Sequence, residues 1–300
     1  MSEERNITNH SLAFDKKYPD LSELYSNHTP FITCSLIIAV LVLILNLAIY
    51  VTNISKAKKR LTSHLYLPTT LLCSFYPIIS LAALVTIVLP KSWLICHTVM
   101  HLSFTIGAVL FHNLCFRYAN SEVGFLKEVG DQELLDFQTS PLCCCFSFLP
   151  KLIPTKTRLF IVKCLIWQMP FVQSSIMIVL NVIYYRDAEM YDKLNAFFIP
   201  FIVGSILSGL WGLNITVKMI SSLFPDYNLM KKMLCLQLIL LLCKLQFLIL
   251  DSQLSTFDFG GVFPITNTIY KQTLINLLIL VEMTLVSIFV KHAYSKPAEL

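Results

Sequence analysis

The stretch "FITCSLIIAVLVLILNLAIYVTN", residues 31–53, contains no Asp, Glu, Lys or Arg. Rising 1.5 Å per residue as a helix, about 20 apolar residues cross a hydrocarbon core roughly 30 Å thick. The rest of the chain repeats the pattern. Comparable apolar runs cover 65–89, 93–116, 164–185, 194–217, 233–250 and 272–290. Five of the seven runs carry no formal charge, the sixth holds Lys244, and the seventh holds Glu282. The composition agrees, with 56% hydrophobic and only 14% charged residues and a mean hydropathy of +0.68. A soluble domain of 300 residues needs more polar surface than this. Backbone polar groups inside a bilayer must be satisfied within each segment, so the runs are expected to be helices. The fold class is therefore all-α: one polytopic membrane domain of seven helices over 31–291.

Lys and Arg retained in the cytoplasm orient such a chain. Fifteen of the 23 Lys and Arg fall on one side, seven on the other, and Lys244 lies within the membrane. This bias predicts an extracellular N-terminal tail (1–30), a long cytosolic loop (117–163) and a short cytosolic tail (292–300). Sequons at Asn6, Asn9 and Asn27 agree, because N-glycosylation acts only on the lumenal side. The sequons at Asn53 and Asn214 fall at the inner face and within a helix, and should be silent. The tail 1–30 is polar and does not read as a cleavable signal. The net charge of +5 reflects the basic inner side. No basic patch interleaved with aromatics points to nucleic acid.

The long loop contains "LCCCF", with Cys143, Cys144 and Cys145 adjacent. Disulfides are disfavoured in the reducing cytosol, and the loop has no histidine to activate a nucleophile. S-acylation of cysteines beside the membrane fits, with Phe146, Phe148 and Leu149 at the interface and Lys151, Lys156 and Arg158 meeting anionic membrane lipid. The bland alternative is an unmodified apolar turn.

"PLCCCFSFLPK" (141–151) resembles the Cys-rich stretch in the cytosolic loop of the organic solute transporter alpha family. "FYPIISLAALVTIVLPKS" (75–92), "CLQLILLLCKLQ" (235–246) and "INLLILVEMTLVSIFVKHAYSKP" (275–297) resemble that family's second, sixth and last helices. The resemblance covers about 31–297. It implies a seven-helix transporter of steroid conjugates or bile-acid-like organic anions, working by facilitated diffusion with a single-span beta-type subunit. The expected residence is the plasma membrane, with endomembranes also open. It implies no enzyme activity and no cofactor, and the chain has no Walker-type Gly-rich loop.

Charged groups within spans are costly and usually face a partner or cavity. The depths of Lys244 and Glu282 differ by less than a helical turn, so the two side chains could meet. Gln237, Lys244 and Asp251 recur at seven-residue spacing, which puts them on one face of a regular helix. This polar stripe reads either as a substrate path for an anionic solute or as a structural ion pair or snorkelling lysine. His97 and His101, one turn apart, lack further metal ligands, so interhelical hydrogen bonding is the simpler reading and no metal is expected. Asn113, Gln173, Asn181 and Asn214 read as packing glue, and the segment "NLAIYVTN" (46–53) shows no chemistry.

The principal alternative is a seven-helix chemosensory or G-protein-coupled receptor. "FRYAN" (116–120) superficially resembles the receptor Asp-Arg-Tyr motif, but Phe116 stands where the acid belongs, and the last run lacks Asn-Pro-x-x-Tyr. A purely structural membrane protein is a third reading.

Overall fold

The computed structural model describes residues 21–26, 30–141, 150–254, 259 and 266–294, apart from the side chains at 188, 245, 247, 248, 251 and 252. The named elements among these residues are all helices, with a single isolated bridge between Leu135 and Leu152. A short α1 (Leu21–Ser26) precedes the long helices α2 (Pro30–Arg60), α3 (Ser63–Val88) and α4 (Trp93–Tyr118). A small α5 (Glu122–Val129) leads to α6 (Lys156–Arg186) and α7 (Ala188–Leu223). Then follow α8 (Leu229–Leu240), a π-helical turn (Leu241–Gln246), α9 (Phe247–Leu254) and α10 (Asn267–Ala293).

Among the described residues, six helices are long and apolar enough to cross a membrane. They are α2, α3, α4, α6, α7 and α10. The remaining apolar run, 233–250, is helical throughout 229–254, but the π turn divides it. The helices outrun their apolar cores because polar caps start them beyond the membrane. Thr155 accepts a hydrogen bond from the Arg158 amide to begin α6, and Asp187 accepts one from Met190 at 3.0 Å to begin α7. Pro68, Pro77, Pro170 and Pro200 all lie inside continuous helices.

The helices are turned inside out relative to a soluble bundle. On α2 the buried positions are Ile32, Ser35, Ala39, Leu43 and Asn46, at helical spacing. Its outer face carries Ile37, Leu41, Ile44, Leu45 and Val51, each more than half exposed. On α6, Phe160, Phe171, Ile178 and Val182 are likewise exposed. A band of exposed Leu, Ile, Val and Phe around a core that includes Ser and Asn is stable only against lipid.

Specific contacts set the helix directions. At one end, Arg117 of α4 donates to the His64 carbonyl of α3 (2.9 Å), Lys163 of α6 pairs with Glu122 (3.2 Å), and Lys218 of α7 pairs with Asp136 (2.8 Å). At the opposite end, Trp93 Nε1 of α4 donates to Tyr184 Oη of α6 (3.0 Å), Tyr25 Oη donates to the Val88 carbonyl, and Phe31 of α2 meets Tyr270 of α10. The basic termini thus share one end, and an aromatic group with Trp93, Tyr184 and Tyr191 marks the other, as interfacial belts do.

The α6–α7 pair packs closely through small residues. A Cβ at Gly209 would overlap the Met169 thioether, and one at Gly212 would come within 3.1 Å of the Val162 carbonyl oxygen. Gln168 reinforces the pair, donating to the Ser205 carbonyl and Ser208 Oγ (both 2.9 Å) and accepting from Ser205 Oγ (2.8 Å). Close backbone approach plus polar bridges is how helices associate where lipid removes the hydrophobic drive.

The described part of the 117–163 segment contains a short capped helix. Ser121 caps α5 by accepting from the Gly124 amide at 2.9 Å, and Phe125 and Val129 bury the inward face of that helix. Downstream, one face of α7 holds the loop. Trp211 Nε1 donates to the Phe137 carbonyl (3.1 Å), Asn214 Nδ2 to the Ser140 carbonyl (2.7 Å), and Lys218 Nζ to Asp136 (2.8 Å).

Candidate functional site

Lys244 sits in the π turn, where hydrogen bonds run i→i+5 and the backbone winds more residues per turn than an α-helix. Two residues apart, Lys244 and Gln246 reach different neighbours. Lys244 Nζ donates to Gln173 Oε1 of α6 at 3.0 Å. Gln246 Nε2 donates to Glu282 Oε1 of α10 at 2.8 Å. The direct Lys244–Glu282 contact raised by their matched depths is therefore not made; each charge is held by a neutral amide. The other Glu282 oxygen, Oε2, is buried without a hydrogen-bond partner. Gln173 also donates to the Ile202 carbonyl of α7 at 3.1 Å, so it is fixed on both sides.

The same turn interrupts the regular helix on which the seven-residue stripe was read. Gln237 lies on α8 before the π turn and Asp251 on α9 after it, so their spacing does not run along one regular helix. Gln237 is partly buried, and the Asp251 side chain lies outside the described residues. Cys143, Cys144, Cys145, Asn6, Asn9 and Asn27 also lie outside them.

Around Lys244 the seam between α4, α6 and the π turn is polar. His97 and His101 approach Nε2 to Nε2 at 2.9 Å, with ring centroids 4.0 Å apart, and both are electrostatic neighbours of Lys244. Asn181 Nδ2 donates to Thr98 Oγ1 at 2.8 Å, joining α6 to α4. Among the described residues no group of three or more His, Cys, Asp or Glu could hold a metal ion. A cavity of about 10 Å³ beside His97, bounded by Thr86, Trp93 and Asn276, is on the scale of one water. The seam therefore offers a cation, imidazole nitrogens and amides to a polar group entering from the apolar surroundings.

His112, fully buried nearer the basic end, contacts Thr216 Oγ1 through Nδ1 at 3.2 Å. The Thr216 hydroxyl proton is committed to the Gly212 carbonyl at 2.9 Å, so His112 Nδ1 is the donor. Its Nε2 is a buried acceptor without a hydrogen-bond partner.

Asn46 is the residue that the sequence passed over. It is fully buried, donates to Ser80 Oγ of α3 (2.6 Å) and accepts from Ser287 Oγ of α10 (2.7 Å). This three-helix node lies in the "NLAIYVTN" segment where no chemistry was expected. Its only sequence signal is an Asn on an otherwise apolar face, which also fits a solvent-facing helix end. Gln246 left no clearer signal, because its pairing with Glu282 depends on a turn that hydropathy does not register.

The chain matches the family model "Organic solute transporter Ostalpha" over residues 32–298. The chain is 49% identical over 299 residues to an organic solute transporter alpha-like protein of Drosophila melanogaster, covering 100% of this chain and 90% of that one. It is 27% identical over 154 residues to organic solute transporter alpha-like protein 2 of Caenorhabditis elegans, covering 50% of this chain and 44% of that one. No solved structure matches the chain.

Proposed function

The chain belongs to the organic solute transporter Ostalpha family, and on that premise we propose that it carries amphipathic organic anions across the plasma membrane. The solutes are of the steroid-conjugate or bile-acid type, and movement is downhill, with a single-span beta-type subunit as partner. The helical run 229–254 serves as a seventh span, with the N-terminus outside and the basic end in the cytosol. This topology rests on the cation bias and on the clustering of the basic helix termini at one end. The receptor alternative finds no support in the family.

One observation carries the reading: the Lys244 ammonium is held by the neutral Gln173, and among the described residues no carboxylate pairs with it. An uncompensated cation within a bundle attracts an anion strongly, because the low dielectric screens little. An arriving sulfate or carboxylate takes the place of the Gln173 oxygen on Lys244, while its apolar body stays against the Leu- and Phe-rich helix surfaces. Glu282, held by Gln246, stays apart from that exchange and does not neutralise the receptor.

The test is uptake in cells that express the chain with and without single-span candidates. Lys244→Gln should cut uptake of a sulfated sterol tenfold or more, a loss of about 1.4 kcal/mol, and should spare an uncharged sterol. Equal loss of both solutes at normal surface level would remove Lys244 from charge recognition.

A further inference from the structure

A second cationic site lies at the basic end, separate from the seam around Lys244. A cavity of about 210 Å³ opens between α2, α3 and α10, and Lys56, Arg60, Lys291, His292, Cys73 and Tyr294 are among its walls. The cations come from the ends of two helices far apart in sequence and converge on one space. The volume matches about seven waters, below the roughly 300 Å³ at which pockets for drug-sized ligands begin. It suits a compact, multiply charged group better than a steroid body.

Behind this cavity is Lys232 of α8, only 6% exposed. Its Nζ donates to Tyr118 Oη at 2.8 Å and lies over the Tyr118 and Tyr294 rings, at 4.3 and 5.0 Å from their centroids. Cys73, Cys115 and Cys235 are its electrostatic neighbours. Among the described residues no carboxylate pairs with it. An ammonium has three donors, and Tyr118 takes one. A buried cation with aromatic faces and thiols but no counter-charge is expensive to maintain. Tyr294 and Cys73 belong both to this cage and to the cavity wall, so the uncompensated charge adjoins the empty space.

We propose that this cavity is a binding site for the phosphate headgroup of an anionic phospholipid. Lys56 and Lys291 grip the phosphate from the rim, and Lys232 supplies the deeper positive charge. Phosphate chemistry alone fits free phosphate equally. The lipid source is favoured because the cavity adjoins the end of α2, whose outer face is apolar from Ile37 to Val51, giving the acyl chains a surface to lie along beyond the cationic rim. The inference does not depend on which solute is transported.

The full chain, purified in detergent, would be incubated with phosphatidylcholine alone or with phosphatidylinositol 4,5-bisphosphate, and retained lipid counted by native mass spectrometry. The wild type should retain the phosphoinositide over phosphatidylcholine. Lys56→Gln with Lys291→Gln should lower that retention about tenfold. Lys58→Gln with Lys59→Gln makes the same charge change on exposed α2 positions outside the cavity and should leave retention unchanged. Lys232→Met should lower retention without changing the rim. If it does not fold, the rim pair still decides. Equal loss in the Lys58/Lys59 control, or equal retention of phosphatidylcholine, would reduce the site to diffuse surface charge. Displacement of the lipid by millimolar inorganic phosphate would make it a soluble-anion site and overturn the lipid assignment.

Discussion

Lys244 and Asn46 show how differently a polar side chain can be used within apolar helices. Asn46 is satisfied on both sides, by Ser80 and Ser287, and holds α2, α3 and α10 together. Asn46→Leu keeps the volume but orphans two hydroxyls. It should lower thermal stability by about 1 kcal/mol, read as a reduced Tm of the purified chain, with uptake per folded molecule unchanged. Lys244 has the opposite character: among the described residues its one hydrogen bond is to Gln173. Gln173→Leu removes that acceptor together with the bond to the Ile202 carbonyl. It should weaken charge discrimination between sulfated and neutral solutes as well as stability, whereas Asn46→Leu should affect stability alone.

At the scale of elements, the α6–α7 pair makes a prediction with an internal control. Gly209→Ala places a methyl where the Met169 side chain packs. Overpacking of this kind costs about 1–3 kcal/mol. Met169→Ala in the same chain vacates that space and should restore most of the lost Tm, although Met169→Ala alone destabilises by leaving a cavity. The loop before α6 makes a pH prediction. The hydrogen bond from Lys218, opposed by partial burial, holds the Asp136 carboxyl below the ordinary carboxylate range. A depressed folded pKa stabilises above the unfolded value, about 3.9, and the contribution is lost as pH falls through the folded value below it. Exchange of the Leu135 and Leu152 amides, corrected for intrinsic rate, should therefore stay flat from about pH 8 to pH 5. Asp136→Asn should raise it throughout that range. The same docking brings Ser140, just before the cysteine run, against α7 through Asn214. S-acylation of Cys143, Cys144 and Cys145, which lie outside the described residues, remains the proposal for this run. Acyl-exchange labelling should lose its signal in the triple Ser variant.

For the whole molecule, the prediction concerns orientation. Basic termini gather at one end and an aromatic group at the other, so both ends suit a water–lipid boundary and only the charge bias distinguishes them. Glycosidase treatment should shift the band of the expressed chain, and Asn6→Gln with Asn9→Gln should remove most of the shift. A glycan on Asn53, which borders the basic cavity, would reverse the assignment and place the phosphate-binding end outside.

Membrane class and helical spans were legible from composition because lipid leaves the backbone no other way to satisfy its hydrogen bonds, and every apolar run reads out as helix. Family resemblance was legible in four short segments and extends over residues 32–298. The two charged residues in the apolar runs were equally plain, since a lone Lys or Glu in such a run has no disguise. Their partners were not. Helical spacing assumes a constant winding, and the π turn at Leu241–Gln246 breaks it, turning Lys244 to Gln173 and Gln246 to Glu282. Nor does a sequence disclose that Asn46, Ser80 and Ser287 meet, or that Lys232 lies buried behind a basic cavity. Each of those facts depends on which faces of distant helices touch. Hydropathy places a segment in the membrane, but rotation about its axis is decided by close packing and by which polar groups find one another across the interface.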